Sequence, residues 1–541
     1  MMKLRPSNLL VSSLAVTLTF VGCGGRAQIW SQPIVGVQAY GLTDAVVLAD
    51  PAANRVVALA IDPTTGALAE TSLPTSDNVR TTVVGPGGHH LYVLSGGHRA
   101  QLGDARPDEP PRLAIVDGTT NPATESHIDL TVLSDPLDGL EIDPTDHWAV
   151  IFANQGASSA FVTNPNALVV VDLMKGTAQQ VVLHSFGGHP ENLIFPPLLG
   201  LPSGPTHLLV TQSDQDFTLL SLDDPTKPQI TVRLADATAV TSPHPTQVVF
   251  DDGDPTKTDD ARIGVSFAGL TTVMTLQLEP STDPNGYAPT INVTDVGGVP
   301  SAIAFVQTDG GLRLATLQPG RVSAVLVDPV TTLTTVVTLP APYQSLSLVT
   351  SSAATAPASA SVAPDVALLW DANTSVGGVA FWELGQVAGQ PFRSIETVGI
   401  DAVVNGVEDV SGMNTALKVL STTSNEFFVL DLAKRTATPL ITTIGVQLSV
   451  SPTGTRVWAF QPGGTELAST ELVTGQVHTL EVDTPLTSLF EIERPGTPGK
   501  YSLVTLQEKG GVGATVFDAD NPNEAGRRIY GALLTEGPYD N

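Results

Sequence analysis

The stretch LVVVDLMKG, residues 168–176, decides the fold of this chain. Its apolar, β-branched residues favour a short strand, and the Asp that follows favours a tight turn because its side chain can bond the backbone two residues further on. The same unit recurs as VVALAID ending at Asp62, LAIVD ending at Asp117 and LLSLD ending at Asp223. Weaker copies end at Glu279, Asp328, Glu383, Asp431, Glu471 and Asp518. Ten copies give a repeat of about 51 residues, and we interpret the acids as turn formers.

Two further strand-like units precede each copy. One is an apolar strand after a tight turn, as in residues 91–94 (LYVL) and 457–460 (VWAF). The other is Pro-x-x-apolar-x-Phe, at 190–195, 245–250 and 300–305, spaced by 55 residues. With a short fourth strand, each repeat predicts four antiparallel strands, which make one propeller blade. One blade cannot bury both of its faces, so neighbouring blades must stack around an axis.

The predicted fold is therefore all-β, a β-propeller of about ten four-stranded repeats. One large ring is preferred, while fewer blades, two rings or an array of β-sandwiches remain open. In a single ring, residues 34–39 form the first entry strand and residues 528–534 form the last outer strand. The ring then closes by packing of the first blade against the last, with no strand borrowed across the closure.

The repeat resembles the YVTN and lactonase-like β-propeller family over roughly residues 33–535. The resemblance depends on a Ser-Pro-x-Gly turn at 451–454, the strand Leu91-Tyr92-Val93 and the segment Val116-Asp117-Gly118-Thr119-Thr120. It implies the fold more strongly than a function, because this family includes binding modules and enzymes.

The N-terminal residues resemble a bacterial lipoprotein signal peptide. Lys3 and Arg5 precede an apolar run at 9–21, too short to span a bilayer, and Phe20-Val21-Gly22-Cys23 resembles a lipobox. We predict a signal peptide at 1–22, lipid attachment at Cys23, a tether at 23–33 and a propeller domain at 34–541. An ordinary signal with an incidental cysteine is the alternative. Gly24-Gly25 lacks the Asp that retains many lipoproteins at the inner membrane, so the expected location is the cell envelope, with the outer membrane favoured.

Composition excludes several classes of function. The formal net charge of −29 disfavours binding to nucleic acid and to anionic lipid. Cys23 is the only cysteine, so disulfides within the chain and cysteine-based sites are excluded. Neither an H-E-x-x-H motif nor a G-x-S-x-G motif is present.

Candidate ligand-binding residues lie just before the predicted entry strands. In a propeller, equivalent positions of successive blades converge around the axis, on the face that also carries the loops between second and third strands. Two such loops, at 96–112 and 154–166, are long and polar. The ligand-binding candidates on this face are Asp135, Asp138, His189, Glu191 and His244.

Two of these sites could bind metal. His189 and His244, as neighbours at the channel mouth, suit a divalent metal or acid–base chemistry, although they could equally be turn histidines bonded to loop backbone. Asp251, Asp252 and Asp254 form an acidic loop that could hold calcium, but without the usual alternating spacing. No other cofactor is predicted. His89 and His147 occupy matching turns on the opposite face, where we expect them to be solvated.

Together these features predict a membrane-tethered, non-enzymatic propeller that binds a protein or another ligand of the cell envelope. The alternative is a metal-assisted or lactonase-like hydrolase with its site at the channel mouth.

Overall fold

The computed structural model describes residues 37–529 with internal gaps. The gaps are 63–65, 101–105, 134–135, 155–161, 163, 185–189, 202–203, 214, 239, 241–242, 252–260, 350–364, 373–376, 386–394, 412–413, 425, 441–446, 452, 483, 495–496, 508–512, 520 and 522–525. Residues 1–36, which include the predicted signal peptide 1–22, Cys23 and the predicted tether 23–33, lie outside the described residues.

The strands form ten four-stranded units, which follow one another along the chain. Blade 1 contains β1 Gln38–Gly41, β2 Ala45–Asp50, β3 Arg55–Ile61 and β4 Leu68–Pro74. Blade 2 contains β5 Val79–Val84, β6 His90–Ser95, β7 Arg112–Asp117 and β8 Thr124–Asp129. Blade 3 contains β9 Gly139–Ile142, β10 Trp148–Phe152, β11 Ala167–Asp172 and β12 Thr177–Val182. Blade 4 contains β13 Asn192–Ile194, β16 Leu208–Gln212, β17 Asp216–Ser221 and β18 Ile230–Arg233. Blade 5 contains β19 Pro245–Asp251, β20 Arg262–Phe267, β21 Thr272–Pro280 and β22 Tyr287–Asp295. Blade 6 contains β23 Ala302–Thr308, β24 Gly311–Leu317, β25 Ser323–Val327 and β26 Thr334–Thr338.

Blades 7 and 8 contain β27 Ser345–Val349, β28 Val366–Trp370, β29 Gly377–Glu383, β30 Ile395–Ser411, β31 Asn414–Thr422, β32 Phe427–Asp431 and β33 Thr436–Leu440. Blade 9 contains β34 Gln447–Val450, β35 Arg456–Phe460, β36 Glu466–Glu471 and β37 Val477–Glu481. Blade 10 contains β38 Leu486–Glu493, β39 Tyr501–Gln507, β40 Gly513–Asp518 and β41 Arg527–Ile529. The long strand β30 ends blade 7 and begins blade 8, so these two blades share one sheet. Blade 4 carries an extra hairpin, β14 Leu199–Leu201 with β15 Gly204–Thr206. The helices in the described part are a 3₁₀ turn at Pro51–Ala53 and α1 at Leu234–Thr238.

Ten hydrophobic clusters hold the blades together, and each cluster joins one blade to the next. The tenth cluster joins blade 1 to blade 10, with Val46 and Leu48 among its members from blade 1 and Ile492 and Val504 among those from blade 10. The amide of Glu493 also donates to the carbonyl of Thr43 at 2.7 Å across this closure. The prediction of one ring of ten four-stranded repeats, closed by packing without a borrowed strand, is confirmed.

The inner strands explain why the repeat is visible in the sequence. All six residues of β11 are buried, because neighbouring blades cover both faces of each sheet. Such strands are continuously apolar rather than alternating. The outermost strands, such as β8 with its sequence TESHID, meet solvent and are mostly polar.

Four of the predicted acids form turns through their carboxylates, namely Asp117, Asp172, Asp328 and Asp431. The carboxylates of Asp223, Glu279 and Glu383 accept instead from His207, Thr290 and Arg435, so the prediction is wrong for these three. The Asp172 carboxylate accepts from the amides of Met174 (3.1 Å) and Lys175 (2.9 Å), and Asp431 accepts from Ala433 and Lys434 at the same two distances. Burial raises the pKa of each carboxyl. The bonds from the lysine three residues on outweigh burial, so each pKa is lowered overall.

The first and last strands begin at residues other than the predicted 34 and 528. β1 starts at Gln38 rather than at residue 34, and β41 covers Arg527–Ile529. Residues 34–36 and 530–534 lie outside the described part. No helix among the described residues is long and apolar enough to cross a membrane.

The ring has two faces. We name the face with the blade linkers and the loops between second and third strands the linker face. We name the face with the other two hairpin connections of each blade the hairpin face.

Candidate functional site

Among the residues that the structure describes, the most elaborate feature of the linker face is the loop 96–111 of blade 2, of which 101–105 lie outside the description. His98 and Glu109 pair across the base of this loop through two backbone hydrogen bonds of 2.8 and 3.0 Å. Next to this bridge, Arg112 binds Glu109 at 2.8 Å and Asp129 at 2.7 Å. The base of the loop is therefore fixed to blade 2 itself.

Asp77, in the linker between blades 1 and 2, ties the loop to its neighbours. Its carboxylate accepts from the Nδ2 of Asn54 at 2.8 Å and from the Nη1 of Arg106 at 2.7 Å. The Nδ1 of His98 lies 3.9 Å from the same carboxylate. One partly buried acid thus joins residues of two blades to the linker between them.

Backbone conformation reinforces this junction. The amides of Gly96 and Gly97 donate to the carbonyls of Asn78 and Asp77 at 2.8 and 2.9 Å. Asn78 and Gly97 both have positive φ angles, +62° and +71°. A Cβ on Gly97 would overlap the carbonyl oxygen of Glu109, so only glycine fits there.

Arg80 and Asp138 continue the polar surface toward blade 3. The Nη1 of Arg80 donates to the carbonyl of Leu137 at 2.7 Å, and the Asp138 carboxylate accepts from the amide of Asn154 at 3.0 Å. Burial lowers the pKa of Arg80, and the nearby Asp138 carboxylate opposes this shift. Asp138 therefore caps the start of a loop as well as facing a guanidinium.

The described ligand-binding candidates, Asp138, Glu191 and His244, all precede entry strands on the linker face. Asp138 precedes β9, the exposed Glu191 precedes β13, and the exposed His244 precedes β19. The amide of Glu191 donates to Gln212, and the carbonyl of His244 accepts from Ala268. No described contact brings these three side chains together. Asp135 and His189 lie outside the described residues, so the pairing of His189 with His244 stays a prediction.

The described part of the chain contains no group of three His, Cys, Asp or Glu side chains that could hold a metal ion. Asp251 ends β19 on the hairpin face and lies 3.6 Å from the Nη1 of Arg262. Asp252 and Asp254 fall outside the described residues, so the calcium loop also stays a prediction.

The histidines of the hairpin face are more organised than expected. Three histidines occupy the same position in blades 2, 3 and 4, namely His89, His147 and His207. The backbone carbonyl of each accepts from the amide of the residue that directly follows the third strand of its blade. The His147 ring stacks on Trp148 at 4.7 Å and its Nε2 lies 3.5 Å from Asp172, so the side chain, 33% exposed, is only partly solvated.

His207 completes this row. Its Nδ1 lies 2.9 Å from Asp223, and its ring lies 5.8 Å from that of His147. Sequence reasoning missed His207, although its place just before a second strand was a usable signal.

A cavity of about 300 Å³ lies on the hairpin face where the ring closes. Asp44, Glu493, Arg494 and the segment 118–121 line it. Burial raises the pKa of Asp44, His89 opposes this shift, and Glu493 and Asp117 add to it. Arg494 is already bound to Ser502 at 2.8 Å and to Asp518 at 3.0 Å. The cavity joins three blades, so repeat patterns could not predict it.

Comparison with known proteins gives no family for this chain. No family model and no curated protein matches it. Among solved structures, it is similar to the dihydro-heme d1 dehydrogenase NirN in complex with DHE (12% identity, TM-score 0.38, covering 76% of this chain and 75% of that one). It is also similar to apo AztD from Citrobacter koseri (13% identity, TM-score 0.35, covering 71% and 94%). The third is the Cps50 (Swd1) β-propeller domain from Myceliophteria thermophila (14% identity, TM-score 0.32, covering 65% and 98%). These similarities are low, and the propeller assignment depends on the chain's own ten blades. Membership of the YVTN and lactonase-like family stays a prediction.

Proposed function

We propose that this chain is a membrane-tethered propeller that binds a protein of the cell envelope through the linker face of blades 2 and 3. The loop Gly96–Pro111 carries this proposal. Its base is fixed by the His98–Glu109 bridge and by Asp77, while Arg106 is 63% exposed. A loop whose base is already fixed loses less conformational entropy on binding, which favours recognition of a partner.

The short proposed tether favours a partner that lies close to the membrane. The first strand of every blade starts at the linker face, so the chain enters blade 1 on that side. Residues 24–37, between the proposed lipid on Cys23 and β1, reach at most about 50 Å. The linker face would then stay near the bilayer. The charge of −29 opposes direct contact with anionic lipid, which favours a protein partner.

Substitution of the proposed anchor tests the tether. In Cys23→Ser, the protein should move from the membrane fraction to the soluble fraction after export, whereas wild type stays with the membrane. An equal distribution of both proteins would contradict lipid attachment.

Capture from detergent-solubilised membranes tests the binding face. The full chain should enrich a defined partner, and Arg106→Glu or replacement of 98–109 by two glycines should abolish this enrichment. Lys434→Glu, at a 77% exposed side chain on the hairpin face of blade 8, is the control and should retain the partner. Equal enrichment by all variants, or none by wild type, would refute the assignment to this face.

A further inference from the structure

Blade 6 has an outer strand without charge, a feature that is rare among the blades. Among the described outer strands, only β12 and β26 carry neither a charged residue nor proline. β26 has the sequence TTVVT, in which Val336 is 66% exposed, and Leu333 just before it is 71% exposed. An exposed, uncharged and β-branched edge is the kind of edge that pairs with another strand unless it is protected.

The charge around this strand also favours contact between copies. Residues 296–349 contain two acidic and two basic residues, Asp309, Asp328, Arg313 and Arg321, and so have no net charge. The whole chain has a charge of −29, so two copies repel each other over most of their surfaces. The repulsion is weakest where blade 6 meets blade 6.

The free edge of β26 has a defined register. The amide of Leu339 donates inward to Val322, and the carbonyl of Leu333 accepts inward from Asp328. Because inward and outward residues alternate along an edge strand, Thr334, Val336 and Thr338 present their N–H and C=O groups outward. No described strand pairs with this edge.

The other uncharged outer strand is already protected. In β12 the corresponding outward carbonyl, that of Val182, accepts from the Nε2 of Gln229 in blade 4 at 2.8 Å. Thr231 of the same blade donates to the carbonyl of His184, just beyond β12, at 2.9 Å. β26 has no such cover from the described part of blade 5 or blade 7.

We propose that β26 pairs antiparallel with β26 of a second copy of this chain, about a two-fold axis at Val336. Val336 then faces Val336 of the second copy, and Thr334 faces Thr338 on either side. Each of these pairs exchanges two backbone hydrogen bonds, and Val–Val and Thr–Thr neighbours are favourable cross-strand pairs. The outward-facing residues Thr334, Val336 and Thr338 read the same in both directions about Val336, which suits an isologous contact. This dimer does not depend on the proposed partner of the linker face.

Cysteine cross-linking tests the register directly. In the full chain with Cys23→Ser, Val336→Cys places the only two cysteines about 5.5 Å apart between their Cα atoms, which suits a disulfide. Mild oxidation should therefore give a covalent dimer.

Single cysteines at the two flanking positions are the matched controls. In Thr334→Cys alone, the two cysteines lie four residues apart along the strand, about 13 Å, and should not cross-link. The same holds for Thr338→Cys alone, but a mixture of these two variants should cross-link. Failure of Val336→Cys, or equal cross-linking by Thr334→Cys alone, would overturn the proposed register.

Sedimentation equilibrium of the full chain in mild detergent tests the association itself. Wild type should show a reversible dimer, and Val336→Lys should weaken it about tenfold or more, because it places two like charges directly opposite each other. Val473→Lys, at an 84% exposed residue of a blade 9 turn, should leave the dimer unchanged. A monomer at every concentration, or a dimer insensitive to Val336→Lys, would rule the proposal out.

Discussion

Blades 2 and 6 have the same four-stranded core but meet solvent in different ways. The second and third strands of blade 2 are joined by the long, charged loop Gly96–Pro111, and its outer strand is TESHID. The same strands of blade 6 are joined by the short turn 318–322, and its outer strand is TTVVT. The inner strands define the ring, whereas the loops and the outer strand decide which surfaces can bind a partner.

In both blades the connection between the second and third strands is hydrogen-bonded to the linker that precedes the blade, but the donors differ. In blade 2 two backbone amides, those of Gly96 and Gly97, donate to the linker carbonyls, beside the Arg106 side chain that donates to Asp77. In blade 6 the donors are side chains: the Nε2 of Gln318 donates to Val296, and the Nη2 of Arg321 donates to Gly297, both at 2.6 Å. Backbone donors require a fixed chain path, so we expect the blade 2 junction to tolerate substitution less well.

The largest effect is expected from a pair of glycine substitutions. Gly97 and Gly320 have nearly equal φ angles, +71° and +70°, but a Cβ on Gly320 would meet nothing within 4 Å. Gly320→Ala should lower the free energy of unfolding by about 1–2 kcal/mol, the ordinary cost of a left-handed residue. Gly97→Ala adds the overlap with Glu109 and should cost about 3 kcal/mol or more.

Urea denaturation of the two variants beside wild type measures this difference. The slopes should stay unchanged while the midpoints separate. Equal losses in both blades would mean that the blade 2 loop adapts freely, which would contradict the rigid base that the proposed function requires.

Asp77 should have the next largest effect. Asp77→Ala removes the acceptor for Asn54 and Arg106, and we expect a loss of about 1–2 kcal/mol in unfolding free energy. Asp77→Asn can still accept a bond from Asn54, so its loss should be smaller and should shrink further in 1 M salt, which screens the missing ion pair. A loss from Asp77→Asn that does not depend on salt would show that charge is unimportant at this junction.

The strands of both blades could be predicted from the sequence because a blade between two neighbours is apolar over its inner strands, whatever its loops contain. The role of Asp77 could not be predicted. It lies in a linker without periodic pattern, and Asn54, His98 and Arg106 come from two different loops that only the closed sheets bring together.

The candidate residues show the same limit. The position of Asp138 before an entry strand was predictable, but its bond to the amide of Asn154 depends on where a neighbouring loop begins. The self-complementary register of β26 likewise needs the observed inward bonds of Leu333 and Leu339.

Asp328 provides a test of blade 6 through pH. Burial raises the pKa of this carboxyl, but the amides of Thr331 and Val330 and the guanidinium of Arg313 lower it overall. A lowered pKa stabilises the fold above about pH 4, and this stability is lost as pH falls through the pKa of the folded state. Asp328→Asn should therefore cost about 1 kcal/mol at pH 7, and this cost should shrink as pH falls below about 4. A difference that does not depend on pH would assign the loss to turn geometry rather than to charge.

The smallest effects on stability are expected at Arg106 and Arg321, which are exposed arginines of the equivalent connections in the two blades. Each alanine variant should change the unfolding free energy by less than about 0.5 kcal/mol, because exposed charged contacts contribute little. Their effects on binding should differ. Arg106→Ala should weaken partner capture, since Arg106 lies on the fixed loop of the linker face, whereas Arg321→Ala should leave capture unchanged. Equal capture by both variants would show that the partner does not contact the blade 2 loop through Arg106, even if the loop itself is rigid. The pair thus separates what the junction does for the fold from what the loop does for recognition.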